Sequence, residues 1–126
     1  MNIIDSSAWL EYFADTSEAA NFTDAIEDTE NLIIPVITIF EVFKKIRQER
    51  NENDALLIIA HLQQGIVVTI DTSLSLLAAK LSIENKLPMA DSLILATAKK
   101  YDAVLWTQDS HFKNMPGVKY FPKSDR

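Results

Sequence analysis

The chain has 126 residues, 48% of them hydrophobic, which is the length of one ordinary domain and enough apolar material for one proper core. Its formal charge of −6 argues against a protein that grips nucleic acid with its whole surface, although a local basic rim is compatible with it. The absence of cysteine excludes disulfides, thiol catalysis and Cys-ligated metal centres, so any chemistry must use oxygen or imidazole.

Asn2 to Ile4 is a short apolar run, and Asp5-Ser6-Ser7 supplies N-cap chemistry before AWLEYF, which reads as strand, cap and helix. A second strand is expected over Leu32 to Ile37, followed by a capping-box pattern, Thr38 to Glu41, that opens the helix VFKKIRQER. Another helix runs from Asp54 through ALLIIAHLQQ and ends at Gly65. The β-branched strand GIVVTI follows, and Asp71-Thr72-Ser73 opens the helix LSLLAAKLSIEN. Pro88 starts a helix carrying Asp91, which gives way to the strand AVLWT, the polar segment QDSHFKN, the turn MPG and a last short strand, VKYF. Strands alternating with helices predict one α/β domain over residues 1–126, with a parallel sheet covered by helices on both faces. Such sheets bind ligands at the carboxyl ends of their strands. No apolar run approaches the ~20 residues of a membrane span, and the N-terminus lacks the pattern of a secretory signal, so a cytoplasmic protein is expected.

Four acids fall on that map. Asp5 directly follows the first strand, and Asp109 lies two residues after Thr107 at the end of AVLWT, so both are expected on the carboxyl edge. Glu41 sits in the first turn of the helix after the second strand, which begins on the same edge. Asp91 reaches the cleft only if its segment starts over the top of the sheet. Each acid also has a plain structural reading: Asp5 and Asp91 as charges favoured by a helix dipole, Glu41 as the partner of Thr38, Asp109 as a turn former. Four carboxylates in one cleft, however, repel and raise one another's pKa unless a cation neutralises them, and oxygen-only ligands select Mg²⁺ or Mn²⁺. Phosphodiester hydrolysis by metal-activated water fits such a site. Lys44 and Lys45 lie three and four residues beyond Glu41, and Arg47 and Arg50 extend them into a basic rim for phosphate; the alternative is a solvated helix face.

IIDSSAWLEYF, the lone glutamate in TIFEVFKKI, ADSLILATA and LWTQDSHF together resemble the PIN-domain family, and within it the small VapC-type toxins of prokaryotic toxin–antitoxin pairs. The resemblance covers nearly the whole chain. It implies a PIN-like three-layer sandwich with a central parallel sheet of about five strands, and a Mg²⁺- or Mn²⁺-dependent endoribonuclease with Asp5, Glu41, Asp91 and Asp109 as catalytic metal ligands. Ser6 and Thr107 match hydroxyls that support those acids. The family's strand order places the first strand centrally, beside the one ending near Thr107, and puts the strand before Asp71 at an edge, so Asp71 reads as a cap. The resemblance also implies an RNA substrate, a homodimer, and a cognate antitoxin whose segment packs into a groove formed by about residues 38–64.

His111, two residues after Asp109, reads first as an exposed loop histidine and second as a contact to RNA or a leaving-group oxygen. His61 reads as a helix residue, and Trp9, Tyr12, Phe13, Phe40 and Phe43 read first as core. Phe40 has a second reading, at a dimer or antitoxin surface, because it lies off the Ile39, Val42, Phe43, Ile46 stripe. Two functions compete with the nuclease: a Mg²⁺-binding phosphoacceptor domain, against which Ser6 and Ser7 stand where a second acid is expected, and a catalytically inactive PIN scaffold that binds RNA or protein.

Overall fold

Alternation along the strands divides the core in two. In β1 (Asn2–Ile4), Ile3 and Ile4 are both fully buried but join opposite clusters, as do Ile33 and Ile34 in β2 (Leu32–Pro35). Side chains that alternate with period two while both faces are apolar belong to a sheet covered on each side. Each fully buried aliphatic of this kind contributes about 1.5–3 kcal/mol. The computed structural model describes residues 1–123, and its five strands form one sheet in the order β3-β2-β1-β4-β5, with β3 Ile66–Val68, β4 Val104–Thr107 and β5 Val118–Tyr120. Every neighbouring pair is parallel. The expected five-stranded parallel sheet with a central β1 beside β4 is therefore present, and the strand before Asp71 lies at an edge.

One layer is built from α1 (Ser6–Ala14), α2 (Thr23–Glu27), α3 (Val36–Glu49) and α4 (Glu52–Leu62), whose Ala8, Trp9, Ile26, Val42, Ile46, Ala55 and Leu62 pack against Ile4 and Ile34. The other is the pair α5 (Thr72–Asn85) and α6 (Met89–Lys100), packed against Ile3, Ile33 and Leu105. Lys100 at the end of α6 reaches Asp71 at the start of α5 with Nζ 3.4 Å from Oδ2, so the two helices run antiparallel. Asp71 is the N-cap of α5, its Oδ1 accepting from the Leu74 amide at 2.8 Å.

Several boundaries differ from the sequence reading. β2 ends at Pro35, not Ile37, because α3 starts at once with Pro35 as its N-cap. The Thr38–Glu41 capping box does not form: Thr38 is fully buried inside the helix, its Oγ1 without a hydrogen-bond partner among the described residues, and Glu41 stands in the second turn. Residues between α1 and β2, which carry no clear periodicity, form 3-10 turns at Ser17–Asn21 and Thr29–Asn31 around α2. Gly65 lies beyond the helix it was expected to close. A Cβ there would stand 2.9 Å from both Ile34 Cγ1 and the Leu32 carbonyl oxygen, so close approach to β2 requires the glycine.

Candidate metal centre

Asp5 is fixed twice by its place in the chain. Its amide donates to the Trp106 carbonyl at 2.9 Å, carrying the β1–β4 pairing one step past the strand, and its carboxylate turns back to cap α1, with Oδ1 accepting from the Ser6 amide at 2.9 Å. Oδ2 accepts from Thr107 Oγ1 at 2.8 Å and from Ser7 Oγ at 3.1 Å. The side chain is buried, at 3% exposure. Burial pushes its pKa up to about 6, helped by the charge of Asp91 and opposed by the hydrogen bonds from Thr107, Ser6 and Ser7.

Thr107 ends β4 and serves two acids. Besides donating to Asp5, its Oγ1 accepts from the Asp109 amide at 2.9 Å, and Asp109 in turn caps a 3-10 turn at Ser110–Phe112 by accepting from the His111 amide at 2.9 Å. Glu41 reaches the same edge from α3, where its Oε1 accepts from Ser6 Oγ at 2.7 Å. The two hydroxyls expected to support the acids thus touch them directly.

Asp91 lies in the first turn of α6, and α6 does begin over the carboxyl edge. The hairpin explains why: α5 runs toward that edge and Lys86 to Pro88 turn the chain back. Burial raises the Asp91 pKa; the His111 hydrogen bond opposes this, and the charges of Asp109 and Glu41 add to it. His111 is more than the exposed loop residue expected. Although half exposed, its Nδ1 lies 2.8 Å from Asp91 Oδ2 and 3.2 Å from Asp109 Oδ1. The Asp91 hydrogen bond and the Asp109 charge raise its pKa. A protonated imidazole here screens two carboxylates from each other.

Asp5, Glu41, Asp91 and Asp109 line one cavity of about 280 Å³ together with Ser6, Ser7, Leu10 and Lys45. Ligand atoms of Asp91, Asp109 and His111 lie within 4.8 Å of one another. The donor set fits a hard divalent cation: clustered carboxylate oxygens, two of them on acids whose pKa values are raised in the absence of a compensating ion. Of the four basic residues expected at the rim, Lys45 enters the cavity and pairs with Glu49 at 3.0 Å, whereas Lys44 lies over the Phe40 ring and Arg47 is exposed on α3. Arg50 and Lys123 join Lys45 around an adjoining cavity of about 280 Å³.

The matching family profile describes the PIN domain and spans residues 3–118. The chain belongs to the PIN domain family. Its PIN fold is similar to that of a chain in a toxin–antitoxin complex from Klebsiella pneumoniae, with 24% identity, a TM-score of 0.81, and coverage of 98% of this chain and 100% of that one. It is similar also to VapBC2 from Rickettsia felis bound to a DNA fragment from its promoter, with 14% identity, a TM-score of 0.73 and coverage of 96% and 97%. A third similar fold is VapC20 of Mycobacterium tuberculosis, a sarcin–ricin loop cleaving toxin, with 12% identity, a TM-score of 0.68 and coverage of 82% and 85%. No curated protein sequence matches the chain. Among the described residues, no helix is long and apolar enough to cross a membrane.

The sequence reading missed Ser7, whose hydroxyl bonds Asp5, and Gln108, whose Nε2 donates to Glu11 Oε1 at 3.1 Å beside the cleft. A second hydroxyl after an N-cap acid was the available signal for Ser7. Gln108, between Thr107 and Asp109, carried none. His61 packs edge-on against Trp9, Tyr12 and Phe13 at 5.4–6.5 Å between ring centroids, which makes it part of the aromatic cluster under α1.

Proposed function

We propose that this PIN domain is a Mg²⁺- or Mn²⁺-dependent endoribonuclease, the toxin of a type II toxin–antitoxin pair, with Asp5, Glu41, Asp91 and Asp109 holding the metal. One observation carries the reading: four acids from four separate elements line a single cavity at the carboxyl edge of the sheet. A divalent ion held there supplies activation of water and neutralises charge developing on phosphate oxygens. Asp5 anchors the site, since Thr107, Ser6 and Ser7 leave its carboxylate one orientation. Ser6 fixes Glu41 opposite it. His111 Nδ1 stands between Asp91 and Asp109 and, when protonated, screens their charges from each other. Lys45 provides the positive charge beside the acids that a phosphodiester requires.

The partners follow from exposed apolar surface as well as from family. Phe40 is 59% exposed and so stands outside the core it was first expected to join, and Leu56 and Leu57 on α4 are also exposed, all three within the expected groove segment of residues 38–64. A cognate antitoxin and a second copy of the chain are the proposed partners, and the similar toxin–antitoxin structures support the first. Purified protein incubated with total prokaryotic RNA tests the activity. Discrete fragments with Mg²⁺ or Mn²⁺, lost with EDTA and in Asp5→Asn and Asp91→Asn, are expected. Intact RNA from folded, antitoxin-free protein would turn the reading to an inactive scaffold, and equal cleavage by the variants would overturn the site.

A further inference from the structure

A third cavity, of about 490 Å³, opens beside the acid cleft and shares Ser7 and Asp109 with it. Its remaining wall is Gln108, Ser110, Tyr120, Pro122 and Lys123. The volume falls within the roughly 300–1,000 Å³ of small-ligand sites. Tyr120 is placed there by the sheet: it pairs in register with Thr107, the residue whose hydroxyl holds Asp5, so the ring stands level with the acids.

What surrounds Tyr120 makes the placement informative. Val118, on the same face of β5, packs into the core under α5 and α6, whereas Tyr120, two residues on, passes the core and is only half buried. Its neighbour Phe121 pairs with Phe22 and stacks on Trp106 at 6.1 Å between centroids, and Lys119 lies over Trp106. Tyr120 enters none of these ring contacts. It therefore offers an aromatic surface to the cavity, with the Ser110 hydroxyl and the Lys123 ammonium at the rim. An aromatic face accepts a planar base, a hydroxyl meets the base edge, and an ammonium meets a phosphate.

We propose that this cavity is a nucleotide subsite, in which the base flanking the scissile phosphate stacks on Tyr120 and the next phosphate along the strand is held by Lys123. The inference rests on the nuclease reading and names where the RNA strand leaves the acids. It commits the substrate to an unpaired nucleotide at that position, because a base held in a duplex cannot turn its face to the ring.

The test is binding of a short fluorescein-labelled unstructured RNA to the full chain with EDTA present, read by anisotropy, for wild type, Tyr120→Phe, Tyr120→Leu and Lys123→Ala. Tyr120→Phe is expected to bind as wild type does and Tyr120→Leu to bind roughly 5- to 150-fold more weakly, the span carried by one aromatic–base stack. Lys123→Ala should weaken binding and flatten its salt dependence. An abasic nucleotide scanned through the RNA should weaken wild type at one position and leave Tyr120→Leu unaffected there. Equal affinity of the two Tyr120 variants, or equal abasic effects in both proteins, would overturn the subsite. Should Tyr120→Leu fail to fold, photo-crosslinking of 4-thiouridine RNA to wild type decides: adducts in residues 118–123 support the subsite, and adducts confined to other segments overturn it. Tyr120-dependent binding without metal-dependent cleavage would retain the subsite and sink the nuclease, while cleavage indifferent to Tyr120 would do the reverse.

Discussion

Thr107 gives its hydroxyl proton to Asp5 at 2.8 Å and accepts the amide of Asp109 on the same oxygen at 2.9 Å, so one side chain sets the spacing of two acids. Thr107→Val keeps the shape and removes both bonds. It is expected to lower Mn²⁺ affinity by about 10–100-fold, as loss of outer-shell partners does, and to cost about 1–3 kcal/mol of stability. Thr107→Ser should restore most of each. Calorimetric Mn²⁺ titration and thermal melts measure the two effects, and undiminished affinity in Thr107→Val would show that Asp5 does not depend on it.

Asp5 gives the metal-free protein a pH dependence of definite sign. Its folded pKa, about 6, exceeds its ordinary value of 3.8, so the folded state binds the proton more tightly than the unfolded state. The favourable contribution is full below pH 3.8 and is lost as pH rises through about 6. At 1.36 kcal/mol per pKa unit, ionised Asp5 costs up to about 3 kcal/mol above that range. Asp5→Asn should therefore raise the melting temperature at neutral pH in EDTA and flatten the stability profile between pH 4 and 6. A variant less stable than wild type at neutral pH would show that the hydrogen bonds lost from the carboxylate outweigh the relief of its charge.

Adding the ion should offset most of that cost. A ligand that binds only the folded state at about 100 times its Kd stabilises by about 2.7 kcal/mol. Saturating Mn²⁺ should raise the melting temperature of wild type and leave Asp5→Asn nearly where it was. EDTA should undo the gain. Equal stabilisation of both proteins would place the ion elsewhere.

His111 reports on the same cluster. With its pKa raised above 6.5 by Asp91, its contribution is present below that value and is lost as pH rises through the folded pKa. Because the ring is half exposed, the stability at stake is below about 1 kcal/mol. Its proton resonance is the better probe. Titration in EDTA should give a pKa above 6.5 for wild type and a lower one in Asp91→Asn; identical values would mean that the contact does not persist in solution.

Thr38 separates two accounts of α3. A capping threonine costs about 0.5–2 kcal/mol when its hydroxyl is removed, whereas a buried hydroxyl without a partner is a burden. Since Thr38 is fully buried and its Oγ1 has no partner among the described residues, Thr38→Val should stabilise by about 1 kcal/mol. A loss in chemical denaturation would restore the capping role.

That residue also shows where the sequence is ambiguous. Thr-x-x-Glu has the same letters whether it starts a helix or lies within one, and here Pro35 had already started it. The error moved Glu41 by about one turn along the helix but not off the carboxyl edge, which is why its place in the cleft was legible. Asp5 and Asp109 were legible because a strand end fixes an edge. Asp91 was not, since two helices separate β3 from β4 and only their antiparallel pairing decides which end of α6 meets the acids. Tyr120 lies in the expected strand VKYF, but the sequence does not say which strand it pairs with, and only the β4–β5 register sets it beside Thr107. The fold family was readable from four short motifs, because each keeps an acid beside the apolar run that positions it.

The pairing of β1 with β4 joins residues about a hundred positions apart, Asn2 with Val104 and Ile4 with Trp106. Asp5 is thus synthesised about a hundred residues before Thr107, which orients its carboxylate. A nascent or truncated chain lacking β4 has neither the oriented Asp5 nor Asp109. Synthesis itself keeps the acids apart until the sheet can close, and any activity they confer begins only once β4 has been made.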